Sequence, residues 1–358
     1  MAMHMIAYGG RNDNLFVGAM SESVFFPAQP QVSEVEYQFD RLLEQTGCDY
    51  AHRDEQVSCL RRLDVIPLQA ANHVQPFPGR PDPPNPLFYW TPCIDGDFLE
   101  DLPYKMFEDG RFIDVPLLSG TTSDEGSVFA PSYASSEEDM AVFFANNYPK
   151  LTPRETDLII QQYPKLPALP RHSPWYPTAS KAYGEATFIC PNVNILNGIS
   201  KSASTSTLST HPANTQQVPL TNAKNITTST PRLFAYRYNV QDDDNTAMGI
   251  GVPHIFDSPA IFGPGNCPTP RSYWTYNAPI VPVFMAYHIS FVLSLDPNTH
   301  RRRGSPVWET WGGTDDMRRL VVETGDTRME HVSGEEAERC EFWLGMGDIL
   351  EQGVREVL

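Results

Sequence analysis

Short apolar runs alternate along this chain with segments of helical periodicity. Residues 15–20, 115–120 and 232–238 are rich in Leu, Val, Phe and Tyr and have the length of single strands. Between them, apolar residues recur at the three- and four-residue spacing of helices. Strands separated by helices predict an α/β protein with a mostly parallel central sheet and helices on both faces.

Two helix starts stand out in the polar pattern. Ser33 and Glu36 have the spacing of a capping box, as do Thr152 and Glu155, with Pro153 at the first helical position. The first predicted helix has an apolar face formed by Val35, Phe39, Leu42 and Leu43.

Residues 278–295 contain no Asp, Glu, Lys or Arg and just reach the length of a membrane span. The segment also contains Pro279, Pro282 and His288, which are unfavourable in such a span. The pattern therefore predicts a buried helix and no transmembrane segment.

The candidate chemistry follows two of the predicted strands. Glu125, in an Asp-Glu-Gly turn, comes shortly after 115–120, and His254, in a Gly-Val-Pro-His segment, follows 232–238. In parallel sheets the catalytic groups lie on loops at the carboxyl ends of strands. An acid followed by a histidine is the second half of the Ser…Glu…His order of α/β-hydrolases.

The first half of that order is absent from the sequence. The 358 residues contain no Gly-x-Ser-x-Gly, and the nearest match, residues 198–202, lacks the last glycine and lies between acid and histidine. We reject Ser200 as a nucleophile. On residue type alone, Glu125 is an ordinary turn residue and His254 a structural histidine, and only a wider pattern changes that interpretation.

The first residues of the chain, 1–8, have the character of the middle of a helix, with no N-cap before them. They also show no basic segment, apolar core or cleavage site of a signal peptide. We therefore expect that an N-terminal portion of the domain is missing.

Composition narrows the class of protein. The net charge of −18 argues against nucleic-acid binding, which requires clustered Lys and Arg. The six cysteines form no Cys-x-x-Cys pair, so no zinc site is predicted, and no motif indicates a metal, nucleotide, flavin or other cofactor.

Residues 200–230 are dominated by Ser, Thr, Asn, Gln and Pro and predict a flexible surface insertion. The segment carries a glycosylation sequon at Asn225, which matters only if the protein is secreted.

Several motifs along the chain together resemble type-B carboxylesterases, the cholinesterase-like branch of the α/β-hydrolases, and in particular their secreted fungal lipases. The segments that carry the resemblance lie at 8–16, 94–99, 124–127, 188–191 and 339–343, with sequences YGGRNDNLF, IDGDFL, DEGS, FICP and RCEFW. The resemblance implies that residues 1–358 are the C-terminal part of one carboxylesterase domain. It also implies that this part has an α/β-hydrolase fold lacking its N-terminal strands and nucleophile elbow, and that the domain acts on small-molecule or lipid esters.

Residue by residue, the resemblance assigns Glu125 as the triad acid and His254 as the general base. Ser23 and Asp257 match positions close to the triad, although packing or turn roles explain them equally well. The family's serine and oxyanion loop would lie before Met1. The resemblance also implies an extracellular location for the full-length protein.

The same resemblance pairs Cys48 with Cys59 and Cys190 with Cys340 as disulfides. The alternative for Cys48 and Cys59 is two free thiols in a reducing compartment. Cys93 and Cys267 are left as free thiols or as a further pair.

Two functions remain open at this point. One is a carboxylic-ester hydrolase whose serine lies outside these residues, and the other is an inactive adhesion or binding module of the same family. The retained acid and histidine favour the hydrolase.

Overall fold

The strands of the central sheet are adjacent in the order in which they occur in the chain. The computed structural model describes residues 1–50, 52–80, 83–206 and 233–353. Within these ranges the sheet consists of β1 (Ala19–Glu22), β2 (Leu117–Thr122), β3 (Leu233–Tyr238), β4 (Arg318–Val322) and β5 (Arg328–His331). Strands β1 to β4 are parallel, and β5 pairs antiparallel with β4. The predicted α/β class with a mostly parallel sheet is confirmed.

Helices fill the connections between the strands and the ends of the described chain. Before β2 they are α1 (Ala2–Gly10), α2 (Val32–Thr46), α3 (Arg53–Arg62), α4 (Val65–Ala71) and α5 (Pro103–Glu108). Between β2 and β3 they are α6 (Glu137–Asn147), α7 (Pro153–Gln162), α8 (Tyr176–Gly184) and α9 (Cys190–Ser206). After β3 they are α10 (Asp243–Met248), α11 (Ser258–Phe262), α12 (Val281–Ser294) and α13 (Gly334–Gly345).

The two predicted helix starts have different outcomes. Helix α7 begins as predicted, with Thr152 and Glu155 forming a capping box. Helix α2 begins earlier than predicted, because Gln31 is extended, pairs with Ile94 and forms the capping box with Glu34. The prediction that Ser33 and Glu36 cap this helix is wrong.

The first predicted strand is displaced. Leu15 is 83% exposed and Val17 67%, and the strand begins only at Ala19, where pairing with Leu117 starts. The apolar pattern misplaced this strand because sheet pairing, and not local hydrophobicity, decides where it begins.

The two faces of the sheet bury separate apolar cores. Successive side chains of a strand point to opposite faces. Leu117 packs with Ile6 of α1 in one cluster, while Leu118 packs with Phe284 and Tyr287 of α12 in the other. Helices α1, α8 and α9 thus cover one face, and α11 and α12 the other.

The segment considered as a membrane span forms the short helix α12. Phe284, Tyr287, His288 and Phe291 are buried against the sheet. In the part of the chain that the structure describes, no helix is long and apolar enough to cross a membrane. The predicted buried helix is confirmed.

Candidate active site

Glu125 is held immediately beyond the carboxyl end of β2. The chain leaves the strand at Thr122 and forms a short 3₁₀ turn, Glu125–Val128. The carboxylate is fully buried, and its Oε1 accepts hydrogen bonds from the Thr122 N–H at 2.6 Å and from the Ser23 hydroxyl at 2.6 Å. A buried carboxylate requires such donors, because an unpaired buried charge is costly.

His254 lies on the loop after α10, and its Nδ1 is 2.6 Å from Oε2 of Glu125. The predicted pair is therefore brought into hydrogen-bond contact across 129 residues of sequence. The His254 side chain remains 22% exposed. A buried carboxylate that accepts from Nδ1 leaves Nε2 as the nitrogen able to take a proton.

Two aromatic rings flank the imidazole. The centroid of the Phe188 ring lies 4.7 Å from that of His254, and the Phe129 ring lies at 5.3 Å. The two phenylalanines are also stacked on each other at 5.3 Å. They restrict the orientations of the imidazole and exclude water from its sides.

Asp124 joins the loop that carries Glu125 (the acid loop) to the loop that carries His254 (the histidine loop). Its backbone N–H donates to the Val252 carbonyl at 3.0 Å, and its Oδ2 accepts from the Val252 N–H at 2.8 Å. Gly251 has φ +59°, and a Cβ there would lie 2.2 Å from Asp124 Oδ2. Only glycine fits this close approach.

Helix α8 packs tightly beneath the acid turn. A Cβ on Gly126 would lie 1.9 Å from the Ser180 carbonyl oxygen, and one on Gly184 would lie 2.6 Å from the Gly126 nitrogen. Because both residues are glycines, α8 can approach the turn closely, and this contact fixes the position of the Glu125 backbone relative to the helix.

Ser23 follows β1 with φ +59°, a left-handed conformation that turns its side chain towards Glu125. Its N–H donates to the Gly120 carbonyl at 2.8 Å, which anchors the turn on β2. Of the two residues expected near the triad, Ser23 thus contacts the acid directly.

Asp257 lies close by but contacts neither Glu125 nor His254 through a hydrogen bond. It is fully buried, and its Oδ2 accepts from the Tyr236 hydroxyl at 2.8 Å. Burial raises the pKa of Asp257 to about 6, and the Glu125 charge adds to this rise.

The segment rejected as a nucleophile elbow lies elsewhere. Residues 198–202 belong to α9, where the Ser200 hydroxyl lies against Gly313, a position remote from the strand ends that carry Glu125 and His254.

Disulfides join Cys48 to Cys59 and Cys190 to Cys340, with Cα–Cα distances of 5.8 Å and 4.8 Å. Both pairings are those implied by the resemblance, and Cys93 and Cys267 are free. Asn225 and most of the predicted insertion lie outside the described residues.

A cleft of about 730 Å³ borders the turn that carries Glu125. Three arginines line it, and each is ion-paired: Arg237 and Arg319 with Glu330, and Arg339 with Glu185. Among the described residues, no group of three His, Cys, Asp or Glu side chains could hold a metal ion.

Sequence reasoning missed several residues that shape this site. Asp124, Phe129, Phe188, Tyr236 and Glu22 are all placed by pairing between distant segments. The Asp-Glu-Gly turn gave a signal for Asp124, and Phe188 lies in the FICP segment that carries the family resemblance, but the other three carry none that a single sequence reveals.

Comparisons with known proteins agree on the family. The model of the carboxylesterase family matches residues 2–343. Secreted lipase 4 of Gibberella zeae is 25% identical, over 94% of this chain and 55% of its own length. The inactive carboxylesterase-like protein VdtD of Byssochlamys spectabilis is 23% identical over 53% of this chain and 39% of its own length.

Among solved structures, EstA of Aspergillus niger superposes with a TM-score of 0.84 and 42% identity, over 98% of this chain and 62% of that chain. The chain thus spans less than two thirds of the length of these relatives. The sheet, its flanking helices and this superposition identify the α/β-hydrolase fold. The protein belongs to the carboxylesterase family.

Proposed function

We propose that this protein is the acid- and base-bearing part of a carboxylic-ester hydrolase that works by Ser-Glu-His acyl transfer. Glu125 is the acid, His254 is the general base, and the nucleophilic serine is not among these 358 residues. The observation that carries the proposal is the 2.6 Å contact between His254 Nδ1 and the buried Glu125 carboxylate.

The chemistry follows from that contact. Glu125 accepts a hydrogen bond from the Nδ1–H of His254, which leaves Nε2 to take the hydroxyl proton of the serine as the serine oxygen attacks the ester carbonyl carbon. Nε2 then returns the proton to the departing alcohol, leaving an acyl-enzyme. A water molecule then gives a proton to Nε2 as its oxygen attacks the acyl carbon. Nε2 returns this proton to the serine oxygen as the acyl–serine bond breaks, which releases the carboxylic acid and the free serine.

Ser23 and Asp257 have supporting roles in this proposal. Ser23 donates to Glu125 Oε1 and leaves Oε2 for the imidazole. Asp257 adds a titratable group near the pair without touching it. Neither residue transfers a proton to or from the ester.

Location and domain organisation belong to the same proposal. Two disulfides are typical of secreted proteins, and two relatives are named secreted lipases. We infer an extracellular protein in which residues 1–358 form part of one carboxylesterase domain, with residues 200–230 as an insertion.

Hydrolysis of p-nitrophenyl esters tests the proposal. The chain as given should not exceed a blank containing buffer and an inert protein, because it supplies no serine nucleophile. The coding sequence directly upstream of Met1 should encode Gly-x-Ser-x-Gly in frame. The protein extended by it should hydrolyse the esters and lose at least about a thousandfold in rate on His254→Ala.

His331→Ala serves as the matched control, since His331 is exposed on β5, and it should leave the rate unchanged. Saturable turnover by the chain alone, abolished by Ser200→Ala or Ser23→Ala, would show that the nucleophile is misplaced.

The second candidate is a non-catalytic binding module. It is favoured by the absence of a Gly-x-Ser-x-Gly sequence and by the likeness to a protein named inactive. An upstream sequence without the motif, together with an inactive extended protein, would establish this alternative.

A further inference from the structure

A cavity of about 210 Å³ lies beside α2 and is separate from the proposed catalytic pair. Its walls come from α2 and the segment before it, from the loop after α4, from the connection between α6 and α7, and from the turn after α13. We call it the α2 cavity. It shares no lining residue with the cleft beside Glu125, and neither Glu125 nor His254 lines it.

Much of the cavity wall is aromatic or formed by proline. Tyr37 and Phe77 line it together with Pro30 and Pro149. Phe77 is buried, and its ring stacks on that of Tyr89 with the centroids 5.9 Å apart, which fixes this part of the wall. A cavity of about 150 Å³ in a protein can admit benzene. The α2 cavity therefore has room for a body of that size and one head group.

Three charged residues line the cavity in the part of the chain that the structure describes, namely Glu34, Lys150 and Glu351. The Lys150 ammonium is 2.9 Å from Oε1 of Glu34 and 2.9 Å from Oε1 of Glu351. The second oxygen of Glu34 accepts from the Gln31 N–H at 2.8 Å. One cation shared by two carboxylates leaves one negative charge uncompensated when all three groups are ionised.

Glu351 is the acid whose bonding is incomplete. Its side chain is only 4% exposed, and its Oε2 has no hydrogen-bond partner among the described residues. Glu34, in contrast, is 39% exposed and has both of its oxygens bonded. A buried carboxylate oxygen without a donor costs free energy. A ligand that brings a positively charged donor to this wall would remove that cost.

The backbone holds Glu351 in the cavity wall. Glu351 has φ +57°, a left-handed conformation that is uncommon for a residue other than glycine. Its carbonyl accepts from the Gln29 N–H at 3.1 Å. The side-chain amide of the next residue, Gln352, donates to the Phe26 carbonyl at 2.6 Å in the core. The turn is thus bonded on both sides, which keeps the Glu351 carboxyl group where it is.

We propose that the α2 cavity binds a small primary amine with an apolar body, whose ammonium group neutralises Glu351. The body fills the space between Tyr37 and Phe77, and the ammonium N–H groups donate to the carboxylate. Aromatic walls favour such a ligand, because the ring faces attract a cation. This site goes beyond the proposed ester hydrolysis and does not depend on it.

The charges around the cavity favour an amine over an alcohol or an acid of the same shape. An alcohol can donate one hydrogen bond but leaves the negative charge of Glu351 in place. A carboxylate is repelled by that charge and by a chain of net charge −18. Arg41 of α2 does not line the cavity, because it donates to the Pro76 carbonyl at 3.4 Å and to the Tyr89 hydroxyl at 3.1 Å.

Titration of the chain with benzylamine, benzyl alcohol and benzoate, followed by ligand-observed NMR, tests the site. Burial raises the pKa of Glu351, so the titration is done at about pH 8, where a carboxyl group is ionised and a primary amine is protonated. Benzylamine should bind at least about tenfold more tightly than benzyl alcohol, and benzoate should not bind. Equal affinity for amine and alcohol, or no binding of the amine, would refute the proposal.

Two variants locate the binding. Glu351→Gln keeps the shape and removes the charge, so the amine should lose at least about tenfold in affinity and the alcohol less than about twofold. Val35→Trp fills the cavity from α2 and should abolish binding of both. Glu36→Gln, an exposed neighbour of Val35 that does not line the cavity, is the matched control and should change neither affinity.

Binding of the amine that survives Val35→Trp would place it elsewhere on this acidic chain and overturn the proposal. If Glu351→Gln fails to fold, Val35→Trp at its half-buried position carries the test, together with the difference between amine and alcohol in the parent chain. No ester takes part, so this result stands apart from any failure to hydrolyse esters.

Discussion

The Ser23 hydroxyl donates to one oxygen of Glu125 at 2.6 Å, and His254 lies 2.6 Å from the other oxygen. The serine therefore fixes the plane of the carboxylate and leaves Oε2 free for the imidazole. Ser23 and Glu125 follow the neighbouring strands β1 and β2. The left-handed conformation of Ser23 turns its side chain towards the Glu125 carboxylate.

Ser23→Ala should destabilise the protein by about 1.5–3 kcal/mol, because a buried charged carboxylate loses a donor. The matched control is Ser127→Ala, which removes a buried hydroxyl that has no partner among the described residues. That change should stay within about 0.5 kcal/mol. Urea unfolding measures both, and equal losses would show that the Ser23 bond contributes nothing.

Gly126→Ala should cost at least about 3 kcal/mol, because its Cβ would meet a backbone carbonyl that cannot move away without shifting α8. The Cβ would lie 1.9 Å from the Ser180 oxygen. Gly345→Ala is the control, since nothing lies within 4 Å of a Cβ there. Thermal unfolding of the two variants checks the difference, and an unchanged melting temperature for Gly126→Ala would contradict the close packing.

His288 should make the protein sensitive to mild acid. Burial lowers its pKa from 6.5 to about 4, so the unfolded chain binds a proton that the folded chain does not. This contribution is absent above pH 6.5 and grows as the pH falls towards 4. Between about pH 6.5 and about pH 4.5 the loss of stability should be about 2 kcal/mol.

His288→Phe removes this titration while keeping an aromatic ring beside Tyr236 and Phe284. Urea unfolding at several pH values should show a shallower acid loss in this variant, and His300→Phe, at an exposed position, should leave the loss as it was. A variant with the same acid dependence as the parent would assign the effect to other groups.

The two disulfides should contribute unequally to stability. Cys190–Cys340 closes 150 residues, and Cys48–Cys59 closes 11. In the chain-entropy description these loops correspond to about 5 and about 3 kcal/mol. Paired Cys→Ala variants, compared by urea midpoint, should show the larger loss for Cys190 and Cys340, and the reverse order would argue against a loop-length effect.

The contact between Glu125 and His254 could be predicted from the sequence because each residue follows a strand that is visible as an apolar run. The chain order of Glu125 and His254 then gave the pairing, and β2 and β3 delivered both to the same edge of the sheet. The cysteine pairs came from the family resemblance and not from their spacing.

The surroundings of the site could not be predicted, because they depend on register between strands. Glu22 reaches the face of Tyr236 only through the pairing of both residues with Gly120, and no local pattern encodes that pairing. The start of β1 was misplaced for the same reason, since the exposed Leu15 is as apolar as a core residue.

The link between Asp124 and the Gly251–Val252 segment has a consequence for protein engineering. Because the neighbour of the acid holds the neighbour of the histidine, neither loop retains its shape when it is exchanged alone. A graft of this dyad into another scaffold must carry both loops together, spaced as β2 and β3 space them. The smallest portable unit of this site is therefore a pair of strand ends and not a set of side chains.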